Sequence, residues 1–182
     1  GLAGVFAYGA VLAVSVYSIR EDDVILFGVA ANVISAAGAL LAGRWDDSIG
    51  PRAVIVFSLA AMLAFGTVLL FVSGPMMFWI FGLGLCLFVG PAQSASRTYL
   101  TRITVPGHEG QNFGLYAMTG RAVSFMAPLL FATFIWAGNL MFDTDTDRWG
   151  IAGIMVVLAI GLLLLLRVPA HILDRARPVA GP

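Results

Sequence analysis

Hydrophobic residues fall into six long runs, 1–19, 24–43, 53–72, 76–98, 112–136 and 149–167, followed by a short polar tail over 168–182. Charges or turn residues separate them: Arg20-Glu21-Asp22-Asp23, Arg44-Trp45-Asp46-Asp47, Ser73-Gly74-Pro75, the connector 102–111 with Pro106 and Gly107, and the polar stretch 139–148. The runs are near-continuous and do not alternate with period two, so they predict helices, not the short alternating strands of a barrel. Each is close to the roughly 20 residues that cross about 30 Å of hydrocarbon at about 1.5 Å per residue. A span in lipid must satisfy its own backbone hydrogen bonds, which a helix does within one segment. The fold class expected is an all-α membrane protein, a bundle of six transmembrane helices over 1–182.

Composition strengthens this reading. The chain is 60% hydrophobic and 11% charged, against about half and about a quarter for soluble domains. Net charge is zero, which offers nucleic acid no basic surface, so the expected surroundings are a lipid bilayer. All ten basic residues are arginine. Cys86 is the only cysteine; lying in an apolar run, it reads as a small packing residue. Gly1 opens directly on an apolar run, with no basic flank of the signal-peptide kind. It suggests a cut at the edge of a helix, and so a piece of something longer.

Arginine placement sets the expected orientation. With six spans, the loops after spans two and four share a side with the tail, and that side holds Arg44, Arg52, Arg97, Arg102, Arg167, Arg175 and Arg177. The opposite side holds Arg20 and Arg148 beside Glu21, Asp22, Asp23, Asp143, Asp145 and Asp147. Seven against two places the tail 168–182 in the cytoplasm.

The second span carries Gly28, Ala31, Ser35, Gly38, Ala39 and Gly43 at three- and four-residue steps, which lets a neighbouring helix approach closely. After it comes Gly43-Arg44-Trp45-Asp46-Asp47-Ser48-Ile49-Gly50-Pro51-Arg52. This resembles the signature loop of the major facilitator superfamily, with Gly43, Asp47, Gly50 and Arg52 at matching positions. Ser48 and Pro51 stand where that loop usually carries basic residues. Glycine allows a tight turn, and a carboxylate there can pair with an arginine in one state and release it in another. The competing reading is a solvated turn.

Gly90-Pro91-Ala92-Gln93-Ser94-Ala95-Ser96-Arg97, Arg102, Asn112-Phe113-Gly114-Leu115-Tyr116 and Gly120-Arg121 through Pro128 resemble the vacuole-effluxer-like permeases. These are related to fungal vacuolar amino-acid exporters linked to autophagy, and to bacterial counterparts. The resemblance implies the C-terminal half of a twelve-helix carrier, built of two inverted three-helix repeats, in a bacterial cytoplasmic (inner) membrane. It also implies alternating-access transport of a small solute, with amino-acid export as the theme. The partner would be an N-terminal six-helix half or a second copy of the chain.

Arg121 is the leading candidate for substrate contact. It lies nine residues past Asn112, roughly 13 Å into the fifth span, where a charge costs at least about 2.5–3.5 kcal/mol unless it meets water or a partner. A carboxylate-bearing solute or a gating ion pair would suit it; snorkelling or a structural network is the competing reading. Gln93, Asn32 and Tyr116 are secondary candidates for the same cavity. Asp46, Asp47, Arg97 and Arg102 join the loop as gating candidates, with Arg97 expected to snorkel or to pair with Asp46 or Asp47. No Asp or Glu interrupts an apolar run, so a proton relay would have to come from elsewhere. Asp143 to Asp147 mimics an EF-hand start, but Arg148 and Ile154 occupy the glycine and glutamate positions, so no metal is expected. His108-Glu109 lacks a nucleophile; no enzyme activity and no cofactor are expected. The alternative function is a non-transporting six-helix scaffold.

Overall fold

A computed structural model of the chain describes residue 14 and residues 20–72, 74–104, 107–122, 125–141 and 149–168. Among them the regular elements are helices: α1 (Glu21–Ile49), α2 (Pro51–Phe71), α3 (Pro75–Ile103), α4 (Glu109–Ala122), α5 (Met126–Met141) and α6 (Trp149–Arg167). Four of these, α1, α2, α3 and α6, are long and apolar enough to cross a membrane, and Pro128–Leu140 forms a shorter apolar stretch. The expected first span lies outside the described residues apart from Val14.

α1 and α3 run past the charges that close their apolar runs. Each has 29 residues, about 43 Å at 1.5 Å per residue, so their ends project beyond about 30 Å of hydrocarbon. Arg44–Asp47 and Arg97–Arg102 are therefore helical, because charge outside the hydrocarbon does not break a helix. What ends α1 is Gly50, at φ 84° with its N–H on the Asp46 carbonyl, a left-handed conformation that glycine adopts without steric cost. Pro51 restarts the chain at the first position of α2, where its missing N–H would have had no intrahelical partner. Gly74 (φ 115°) and Pro75 repeat the device before α3.

The expected fifth span, continuous over 112–136, corresponds instead to two helices, Glu109–Ala122 and Met126–Met141. Pro128 sits in the first turn of the second, where a residue without an N–H suits a helix start.

α3 is the hub: α1 and α2 make their main contacts with it, while α6 bridges α2 and α5. The core joins Phe27 and Ala31 of α1, Val54, Leu59 and Met62 of α2, Leu85, Cys86 and Val89 of α3, and Ile151 and Leu158 of α6. Phe27 packs on Phe78 with ring centroids 4.8 Å apart and edge-on to Trp79 at 5.4 Å.

The α1–α3 crossing is unusually close. A Cβ built on Gly38 would overlap the Leu87 carbonyl oxygen, and one on Gly90 the Ser35 carbonyl oxygen. Pro91 offers no N–H to that Leu87 carbonyl, and Gly38 lies against it. The small-residue pattern of α1 is thus used at Gly38, whereas Gly28 and Gly43 face open space. α4 is the exception to all this packing. It contacts α3 only sparsely and has no buried residue.

Candidate functional site

Five helix ends meet at one end of the bundle: the C-termini of α1, α3 and α6 and the N-termini of α2 and α4. Asp46 lies on the α1 stripe that includes Gly38 and Ala42, four residues apart each time, and so turns toward α3. It is buried, and Arg102 in the last turn of α3 approaches its Oδ1 at 3.5 Å. That oxygen accepts no hydrogen bond among the described residues, so the contact is one of charge without hydrogen-bond geometry. A carboxylate at a helix C-terminus faces the negative end of the dipole; the Arg102 guanidinium offsets that field.

Arg52 does not join this pair. Its Nη2 donates to the carbonyls of Leu165 (3.5 Å) and Leu166 (3.3 Å) at the end of α6, the first of which also accepts from the Val168 N–H at 3.2 Å. A guanidinium there satisfies those carbonyls and complements the dipole. Ser48 Oγ donates to the Trp45 carbonyl at 3.0 Å, tightening the turn. Asp47, Gly43, Arg44 and Arg97 are exposed. Of the two expectations for Arg97, snorkelling or pairing with Asp46 or Asp47, the exposed side chain fits the first, and the arginine that meets Asp46 is Arg102. Five residues separate the two arginines, about 140° around the helix, so they cannot share a partner on α1.

The connector before α4 is organised by Glu109. Its carboxylate accepts from the Gly107 N–H at 3.0 and 3.1 Å. Hydrogen bonds from its own N–H and from that of Gly107 hold its pKa below the usual carboxylate value. His108 Nδ1 lies 3.2 Å from Gln111 Oε1. The Asp143–Asp147 run lies outside the described residues.

Asn32, Gln93, Tyr116 and Arg121, expected around one cavity, are all exposed. Asn32 donates its amide back to the Gly28 carbonyl at 2.8 Å, a helical i–4 bond that places the polar group along α1. Tyr116 Oη lies 3.1 Å from Ser96 Oγ of α3. Arg121, nine residues after Asn112, falls about 180° from it around α4 and about 140° from Tyr116. Tyr116 and Arg121 thus occupy opposite sides of α4, the first turned to α3 and the second away from it. Ser96, Thr104, Asn112 and Thr119, which line or brace the α3–α4 contact, were not among the sequence candidates. The spacing of Asn112, Tyr116 and Thr119, four then three residues, was the signal available for one polar helix face.

Comparison with known proteins fits this arrangement. The chain matches the model of the Major Facilitator Superfamily over residues 2–181. It is 23% identical over 163 residues to YxiO of Bacillus subtilis (strain 168), an uncharacterized MFS-type transporter; the match covers 90% of this chain and 36% of that protein. The chain thus spans about a third of that relative's length. No solved structure matches it significantly. With membrane-length helices and the fold of half a facilitator, the chain belongs to the major facilitator superfamily.

Proposed function

We propose that this chain forms one six-helix half of a secondary transporter that carries a small solute by alternating access. The observation that carries the reading is the exposure of Asn32 on α1 and Gln93 on α3, polar side chains on two packed helices of membrane length. In hydrocarbon such groups are costly, so the surface that carries them lines a water-filled path or meets a second bundle. That bundle is a second six-helix half or another copy of the chain. A non-transporting scaffold would instead turn Asn32, Gln93 and Arg121 toward lipid or into tight helix contacts.

The solute is an organic anion or zwitterion such as an amino acid, exported from the cytoplasm across a bacterial inner membrane. Arg121 receives its carboxylate, with Gln93 and Asn32 along the path. The arginine-rich end, with the tail, faces the cytoplasm. There the Asp46–Arg102 contact and the Arg52 bonds to α6 hold one state and part in the other, since a charge contact lacking hydrogen-bond geometry costs less to break than a bonded pair.

The test is flux of radiolabelled amino acids in proteoliposomes containing the chain assembled with its completing half. Arg121→Ala is expected to lower flux about 10- to 100-fold, the worth of a hydrogen bond to a charged group. Unchanged flux by a well-folded Arg121→Ala protein would overturn the role given to Arg121.

A further inference from the structure

Between α3 and α4 lies a cleft of about 440 Å³ lined by Leu100, Ile103, Asn112, Leu115, Tyr116 and Thr119. Its volume suits a small organic molecule. It stands on the side of α4 away from Arg121, and it contains no charged side chain.

The hydrogen bonds around it decide what it can hold. Ser96 has one hydroxyl proton and donates it to the Gln93 carbonyl at 2.8 Å. The Tyr116 hydroxyl is therefore the donor in its 3.1 Å contact with Ser96 Oγ. Thr119 donates to the Leu115 carbonyl at 2.8 Å, and Thr104 to the Leu100 carbonyl at 2.7 Å. Asn112 spends one amide hydrogen on Thr104 Oγ1 at 3.3 Å. Every hydroxyl proton in the set is committed. What remains is mainly acceptor capacity: lone pairs on Tyr116 Oη and Thr119 Oγ1 and the Asn112 amide oxygen, against one spare Asn112 N–H. Beside them on α4 stands Leu115, and α3 adds Leu100 and Ile103.

We propose that this cleft binds a neutral amphipathic small molecule, an alcohol or primary amide with a short apolar chain. The ligand donates its O–H or N–H groups to Tyr116, Thr119 and Asn112 and lays its chain on the leucine and isoleucine side chains. An ionised carboxylate is an acceptor only; it would meet acceptors, with no cation to compensate its burial. The site is separate from the solute path assigned to Arg121, and its test requires no transport.

The probe is an eight-carbon alcohol carrying a diazirine, photolysed with the 182-residue chain in lipid nanodiscs at pH 9, with labelled residues mapped by mass spectrometry. Saturable labelling of Leu100, Ile103 and Leu115 is expected, competed by 1-octanol and octanamide but not by octanoate. Thr119→Val and Asn112→Leu should each weaken competition about fivefold, as loss of one neutral hydrogen bond does. Thr119 is exposed, and among the described residues its hydroxyl bonds within its own helix, so that variant retains the fold. Two results would overturn the proposal. One is non-saturable labelling spread equally over the exposed side chains Ile25, Leu163 and Leu164; the other is competition by octanoate equal to that by 1-octanol.

Discussion

Replacing Gly90 with alanine puts a methyl group where the Ser35 carbonyl already stands. Besides overlapping the oxygen, the new carbon would lie 2.9 Å from the Ser35 carbonyl carbon and 3.1 Å from the Ala39 nitrogen. Reaching an ordinary 3.4 Å contact with that carbon alone requires a retreat of 0.5 Å. All three atoms are backbone, so no rotamer change relieves the contact and the helices themselves must part. Overpacking of this kind costs about 1–3 kcal/mol. Alanine also gains up to about 1 kcal/mol over glycine in helix propensity, so Gly28→Ala, on the same pair of helices but facing open space, is the reference that cancels this gain. Reversible unfolding in mixed sodium dodecyl sulfate micelles, followed by circular dichroism, should show Gly90→Ala about 1–3 kcal/mol less stable than Gly28→Ala. Gly38 meets Leu87 across the same crossing. Once one methyl has pushed α1 from α3, the second does less harm, and the Gly38→Ala/Gly90→Ala pair should lose less than the two singles together, by about 0.5 kcal/mol or more. Equal stability of Gly90→Ala and Gly28→Ala would refute the close crossing.

Arg102→Ala removes the cation facing the buried Asp46. Because Arg102 is 42% exposed, the loss is set well below that of a fully buried pair, at about 1–2 kcal/mol, and Asp46→Asn should restore much of it in a double-mutant cycle of unfolding. Arg52→Ala should take the guanidinium from the Leu165 and Leu166 carbonyls, leaving Leu165 only its bond from Val168 and raising amide exchange in the last turn of α6 about fivefold, the worth of one neutral hydrogen bond, while the middle of α3 stays protected. Glu109 has a lowered folded pKa, so its bonds to the connector are fully present above the unfolded carboxylate value of 4.5. They are lost as pH falls through the lower folded value. The Gly107 amide signal in a nuclear magnetic resonance titration should follow that loss, and Glu109→Gln should remove the pH dependence.

Four membrane-length helices, α1, α2, α3 and α6, were legible because apolar runs of membrane length leave the chain few options. Their ends were less so. Ending the apolar runs at residues 43 and 98 shortened α1 and α3, whereas the true stop for α1 is the positive-φ Gly50. This truncation also hid the Asp46–Arg102 contact. With α3 ended near residue 98, Arg97 looked like the cation nearest the loop; extended to Ile103, α3 brings Arg102 to Asp46. Register alone distinguished Asp46 from Asp47, yet the matched loop pattern drew attention to Asp47. The division of Tyr116 from Arg121 was also present in their spacing, but it gained meaning only when α3 was seen to lie on one side of α4.

Gly50 carries one more consequence. It is the only residue between α1 and α2, so the end of one helix and the start of the next are held within the reach of a single residue, about 3.8 Å per peptide. There is no slack to absorb a change of length. One added residue would shift α2 in phase by about 100°, swinging Val54, Ser58 and Met62 off the core and Arg52 off α6 together. Most surface turns between helices accept insertions; this one works as a mechanical coupling, and evolution can change its side chains far more readily than its length.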